Sequence, residues 1–317
     1  HSMLLAATNP AVQAYDPAYG YEIGHIVADG LRRMYGEDQE DVFYYLTVYN
    51  EPYPQPAEPE GVDVEGIIAG MHLVSEGGGD GPRPQILASG VAVNWALEAQ
   101  RLLREDWSVE TDVWSVTSWN ELRRDGLDTD SWNWLHPSEP ARLAYVTQRL
   151  QDQPGPVVAV SDFMRAVQDQ IRDWVPADFV SLGTDGFGTS DTRGALRRHF
   201  NVDAESITAR VLSLLARRGE IDASIPQQAI DKYNSELESL RSFVLPSGTP
   251  AAAHLHVART VVRRAERCTW AAIHAFGGGV NPLTAKYLNR CSDLLFVLAR
   301  IANKKIGDQL WVPGANR

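Results

Sequence analysis

The sequence predicts an α/β domain, a mostly parallel sheet with helices on both faces, followed by an all-α helical hairpin of the kind found in bundles. Three observations predict it. From Gln85 to Arg218, short apolar runs alternate with helical periodicity, as in parallel strands joined by crossover helices. After Tyr233 no strand signal remains, and two long helical segments flank Gly277-Gly278-Gly279. The charge changes at the same place: residues 1–233 carry 36 acidic and 18 basic side chains, residues 234–317 carry 5 and 11. That asymmetry suggests two unrelated modules, or else a single protein with one basic face.

The elements follow in order. His1-Ser2-Met3 reads as a tag remnant outside the fold. Asp16-Pro17 reads as an N-cap and first helical residue, with Ile23, Ile26, Val27, Leu31 and Met34 at helical spacing and Gly36 as the stop. Residues 41–49 (DVFYYLTVY) read as a buried strand. Pro52, Pro54, Pro56 and Pro59 mark a linker, and 77–81 a glycine-rich loop. Strands are expected at Gln85–Ala88, Asp112–Val116, Val157–Val160 and Phe179–Leu182. Helices are expected over Val91–Glu105, after a Ser118/Glu121 capping box, from Ser161 to Trp174, and from an Asp203 cap to Arg218 with Gly219 beyond it. Thr249-Pro250 and Asn281-Pro282 start the two hairpin helices, which run to about Phe276 and Asn303. Leu288, Cys291, Leu295, Leu298 and Ala302 are expected to form the apolar seam of the second.

Composition narrows the function classes. The chain has 317 residues, enough for about two domains. It has no apolar run of the roughly 18 residues that a membrane span needs and no signal peptide, so no membrane partner is expected. Its two cysteines, Cys268 and Cys291, make neither a disulfide framework nor a metal site, which fits a cytoplasmic setting. A net charge of −12 argues against nucleic-acid binding.

Motifs for chemistry are sparse in the first part. The loop 183–191 (GTDGFGTSD) follows a strand and offers backbone N–H groups and a carboxylate. It has no phosphate fingerprint, and is either a structural or subunit-contact loop or a site. Glu51 beside Asn50 is a candidate catalytic carboxylate or a solvated loop residue. The histidines are scattered, without metal-ligand spacing, and no nucleophile elbow is present. The second part is richer. Arg259, Arg263 and Glu266 fall at i, i+4 and i+7 of one helix, flanked by Arg264, Arg267 and His256. Asn289, Asp293, Phe296 and Arg300 make a polar and aromatic stripe on the other. Four arginines within nine residues repel one another unless an anion is near, and their planar forks suit phosphate oxygens. An inter-helix salt-bridge network is the alternative.

Two resemblances carry these readings further. Residues 4–232 include AYDPAYGYEIGHIVADGLRRMYGEDQEDVFYYLTVYNEPYPQP, DVWSVTSWNELRRDG and FVSLGTDGFGTSDTRGALRRHF. They resemble the carboxyl-terminal region of the homodimeric bacterial pyruvate dehydrogenase first component, in its actinobacterial branch. The resemblance implies a transketolase-like fold, with 4–60 as the end of a middle domain plus linker and 61–232 as the third domain, the main builder of the subunit interface. It implies decarboxylation of pyruvate and acetyl transfer to a lipoyl acyltransferase component, using thiamine diphosphate and Mg²⁺. The family's cofactor and catalytic motifs match no position here, so no catalytic residue is expected in 1–232 and the segment is expected to be inactive alone.

Residues 233–317 contain Phe243-Val244-Leu245-Pro246-Ser247-Gly248, the run 258–267 (ARTVVRRAER) and the run 288–293 (LNRCSD). They are similar to the carboxyl-terminal half of PduO-type ATP:cob(I)alamin adenosyltransferases, trimers of helical bundles in which cobalt(I) attacks the 5′ carbon of ATP and displaces triphosphate. On that resemblance, Arg263 contacts the triphosphate, Arg259 supports the ATP site, Glu266 orders the arginines, Asn289 contacts the nucleotide and Phe243 presses on the corrinoid. The family's amino-terminal ATP loop is absent from the sequence, Ser247 stands for a usual Gly, and Cys291 for a usual Leu. The whole reads as a chimera joined near Tyr233. A homo-oligomer is expected, dimeric by the first family and trimeric by the second. A non-catalytic assembly module and a composite of two polypeptides remain as alternatives.

Overall fold

The computed structural model describes residues 2–79, 83–153, 155–186, 192–235, 249–276 and 279–303. The chain divides into two compact units, 1–237 and 238–317.

The first unit opens with helix α1 (Ser2–Ala6), strand β1 (Val12–Tyr15), helix α2 (Gly20–Tyr35) and strand β2 (Phe43–Leu46), which pairs in parallel with β1. Met3 is buried and its carbonyl accepts from Asn120 Nδ2 at 2.9 Å, so it belongs to the fold rather than lying outside it. Asp16 does not cap α2. The helix starts at Gly20, where the carboxylate of Glu22 turns back onto the backbone N–H groups of Ala18 and Tyr19. The strand predicted over 41–49 shrinks to four residues because its last part leaves the ladder and points its polar tips at Asp16.

Next come α3 (Val64–Ala69), β3 (His72–Ser75), β4 (Gln85–Ala88), α4 (Ala92–Trp107), β5 (Asp112–Ser115), α5 (Trp119–Leu135), α6 (Tyr145–Leu150) and β6 (Val157–Val160). After them lie α7 (Arg165–Gln168) with a 3-10 turn to Trp174, β7 (Phe179–Leu182), α8 (Arg193–His199), α9 (Ala204–Arg217) and α10 (Ile225–Ser235). The sheet order is β3-β5-β4-β6-β7, with β3 antiparallel and the other pairs parallel. The period-two alternation splits each buried strand between two cores. Ile86, Ala88, Val113, Val158 and Val160 pack with α4 and α9, while Leu87, Trp114, Val157 and Ala159 pack with Trp119, Leu122 and Ile171 on the opposite face.

Several caps behave as predicted. Ser118 accepts from Glu121 N at 3.0 Å and Asp203 from Ser206 N at 3.0 Å. Ser161 does not start a helix. Its hydroxyl accepts from Phe163 N and Gln168 Nε2, holding a turn, and helical geometry begins only at Arg165.

The second unit is an antiparallel pair, α11 (Pro250–Phe276) and α12 (Pro282–Asn303). Thr249 caps α11 through Ala252 N at 3.2 Å, and Asn281 caps α12 through Leu283 N at 3.0 Å. The seam differs from the predicted one. The buried residues of α12 are Ala285, Ser292, Ala299 and Asn303, and those of α11 are Ala252, His256 and Glu266. Leu298 lies on the exposed side with Leu294, Val297 and Ile301. Small and polar side chains sit at the centre of the contact, with Leu288, Cys291, Leu295 and Ala302 of the predicted seam half-buried beside them. Among the described residues, no helix is long and apolar enough to cross a membrane.

Candidate functional sites

In the helical unit the predicted stripe becomes a linked chain. Glu266 is buried on α11. Its Oε2 accepts from Arg263 Nη1 at 2.5 Å and its Oε1 from Asn289 Nδ2 at 3.1 Å, so one carboxylate ties α11 to α12. A buried carboxylate without such donors would be costly. Arg259 stands apart from this chain: its guanidinium lies 4.9 Å from the Phe296 ring centroid, a cation–π contact, and its Nε has no partner among the described residues. His256 meets the same ring, centroid to centroid at 6.1 Å, and its buried Nε2 is also unpartnered. A cavity of about 400 Å³ opens beside Glu266 and Asn289, lined also by Trp270, Lys286 and Arg290. Lys286 and Arg290 were not singled out by the sequence, although their i, i+4 spacing around Asn289 could have shown them. Phe243 lies outside the described residues.

In the first unit the strands' carboxyl ends are the place to look, because open α/β sheets hold ligands where the strand order reverses, here between β4 and β6. Much of that place is filled from within. Asp16 is fully buried there. It accepts from Ser89 Oγ at 2.6 Å, Thr47 Oγ1 at 2.5 Å and Tyr49 OH at 2.8 Å. Burial raises its carboxyl above the usual range, and the three hydroxyls pull the other way. Gly90 adopts φ 55°, and a Cβ there would come within 2.3 Å of the Tyr49 hydroxyl. Close by in the chain, the buried Glu22 takes His72 Nε2 at 2.7 Å besides its two backbone donors.

Of the sequence candidates here, Glu51 is ion-paired with Arg197 and lies 3.8 Å from Arg193 Nε, so it is no free carboxylate. The loop 183–191 is described only to Gly186. Its Asp185 is taken by Arg165, through Nε at 2.6 Å and the backbone N–H at 3.0 Å, which holds the carboxyl below its usual range. Asp162, just after β6, escaped the sequence reading. Burial pushes its carboxyl up to about 6, against the opposing charge of Arg197.

Three family models match the chain. Residues 1–56 match the pyruvate dehydrogenase E1 component middle domain, and residues 198–302 match cobalamin adenosyltransferase. The third covers the five-stranded sheet: residues 70–203 match the transketolase-like C-terminal domain. The two neighbouring matches overlap over residues 198–203, at the end of α8 and the turn after it, whereas α9 and α10 pack within the first unit, where Trp107 Nε1 donates to the Tyr233 hydroxyl at 3.0 Å.

Curated relatives agree with the E1 match. The pyruvate dehydrogenase E1 component of Mycolicibacterium smegmatis is 58% identical over 240 residues, 74% of this chain and 25% of that protein. The Mycobacterium tuberculosis E1 component is 56% identical over 74% of this chain and 25% of that protein. The Escherichia coli K12 E1 component is 46% identical over 76% and 27%. The chain thus spans about a quarter of the length of these relatives. Among solved structures, the chain is similar to a split-gene transketolase described as an inactive beta4 tetramer (TM-score 0.48, 17% identity, 68% of this chain and 61% of that one). It is also similar to transketolase from Leishmania mexicana (TM-score 0.46, 21% identity, 68% and 27%).

Proposed function

We propose that the first unit is the carboxyl-terminal, assembly-forming portion of a pyruvate dehydrogenase E1 component, which decarboxylates pyruvate and passes the acetyl group to the lipoyl groups of an acyltransferase partner. The observation that carries this reading is the filled crevice. Asp16, Thr47 and Tyr49 occupy the position where a doubly wound sheet would receive a cofactor. Thiamine diphosphate and Mg²⁺ do not fit there, and no step through them is assigned to these residues. Calorimetric titration with thiamine diphosphate and Mg²⁺ is expected to show no saturable binding to this chain; saturable binding overturns the reading. Light scattering at micromolar concentration is expected to give an oligomer, and a monomer counts against the assembly role.

A second reading is favoured by the helical cavity. Asn289, Lys286 and Arg290 line it with donors suited to a triphosphate, and Glu266, also in its wall, holds Asn289 and, outside the lining, Arg263. On this reading the second unit, joined near Tyr233, is a cob(I)alamin adenosyltransferase half. Arg263 faces the leaving triphosphate, Asn289 the nucleotide, Arg259 supports the site, and Phe243 presses on the corrinoid. ATP-dependent adenosylation of reduced cobalamin, lost in Arg263→Ala, is the test; undiminished turnover in that variant removes the assignment. Both tests presuppose one polypeptide near 35.1 kDa under denaturing conditions. Two lighter species would instead show a composite.

A further inference from the structure

A second cavity of the first unit, about 390 Å³, opens beside the plugged crevice. That volume lies within the usual range for small-molecule sites. One side is polar: Tyr49, Asn50, Glu51, Asp162 and Thr184. The other is α8, which contributes Arg193, Arg197 and the apolar Leu196, next to Phe200 and Val202. The charges are unevenly satisfied. Arg197 is committed, paired with Glu51 and stacked over Trp95 at 4.4 Å. Arg193 is held loosely, by the neutral Asn50 oxygen at 2.9 Å and at 3.8 Å from Glu51, and its side chain is 52% exposed. The Asp162 carboxylate is half-buried and accepts no hydrogen bond among the described residues, although the neighbouring Asp16 is met by three donors.

A half-buried carboxylate without a donor is unfavourable unless something supplies one. The missing partner is a cation with N–H groups, and the loosely held guanidinium asks for an anion. We propose that this cavity binds a zwitterionic α-amino acid with an aliphatic side chain, its ammonium on Asp162, its carboxylate on Arg193 and its side chain against Leu196 and Phe200. The site is independent of the E1 reading, since it needs neither thiamine diphosphate nor a lipoyl partner.

The test is calorimetric titration of the full chain with three probes: L-leucine, isoamylamine (the ammonium without the carboxylate) and 4-methylpentanoate (the reverse). L-leucine is expected to bind saturably. Asp162→Asn is expected to weaken both L-leucine and isoamylamine by about tenfold or more, the usual value of a charge-assisted hydrogen bond. Arg193→Gln, at an exposed position that leaves the core untouched, is expected to weaken L-leucine and leave isoamylamine unchanged. No saturable binding of L-leucine up to about 10 mM, a concentration that would detect even weak sites, overturns the proposal. Equal L-leucine affinity in Arg193→Gln and the parent chain also overturns it, and stands even if Asp162→Asn fails to fold.

Discussion

Two buried carboxylates, Glu22 in the α/β unit and Glu266 in the helical unit, solve the same problem in opposite ways. Glu22 is met by two backbone N–H groups and by His72, which β3 fixes in place. Glu266 is met by two flexible side chains, Arg263 and Asn289. Backbone donors cannot leave without unwinding the chain, so the first arrangement is architecture. Side-chain donors can swing to another acceptor, so the second can exchange its partners for a ligand. The difference teaches that a buried charge by itself says little about function; what holds it says more.

The sharpest test of the rigid side is Gly90→Ala. A methyl group at φ 55° would collide with Tyr49, and the loss of stability in chemical denaturation is expected to be about 3 kcal/mol or more. Little effect would mean that the plug at the crevice is loose. Glu22→Ala is expected to cost about 3 kcal/mol, since it strands buried donors on α2 and β3. A cost under about 1 kcal/mol would place Glu22 with Glu266 rather than opposite to it.

Asp162→Asn should act in the reverse direction. The folded carboxyl titrates at about 6 and the ordinary value is 3.8, so between these pH values the folded chain keeps a proton that the unfolded chain has lost. Stability therefore falls as pH rises through that window, and the full penalty is present above it. The variant is expected to be more stable than the parent at pH 7 by about 3 kcal/mol, with the gain gone below about pH 4. Thermal melts across pH check this, and a destabilised variant at pH 7 would show that a donor already serves Asp162. The smallest effect is expected for Glu266→Gln, about 1 kcal/mol by helical melting, because Asn289 and Arg263 can turn to water. A loss as large as that of Glu22→Ala would show that the helical unit is as rigid as the sheet.

Local chemistry was legible. Gln85–Ala88, Val157–Val160 and Phe179–Leu182 are strands over the predicted residues, and Ser118, Asp203, Thr249 and Asn281 cap helices as their side chains require. Among the candidate residues, helical spacing put Arg263 and Glu266 on one face, and the structure brought Asn289 to them across the hairpin. Asp16 misled for a physical reason. Asp before Pro is a sound cap signal, but three hydroxyls, including one on Ser89, outcompete the helix for its oxygens. The α12 seam was only partly placed: Leu288, Cys291, Leu295 and Ala302 flank the buried line of Ala285, Ser292 and Ala299, and Leu298 lies outside it, because periodicity marks an apolar face and not the small residues at its centre.

The sequence by itself therefore determined the fold class, the two-part organisation and most element ends, since strand alternation, caps and breakers act within a few residues. Only the tertiary structure decided which polar groups are architecture and which are open to a ligand. Asp16 meets Ser89 across the fold, Glu22 meets His72, and the Asp162 carboxylate meets no donor among the described residues. Whether a charge is satisfied depends on donors brought from distant segments, and burial sets the cost of lacking them.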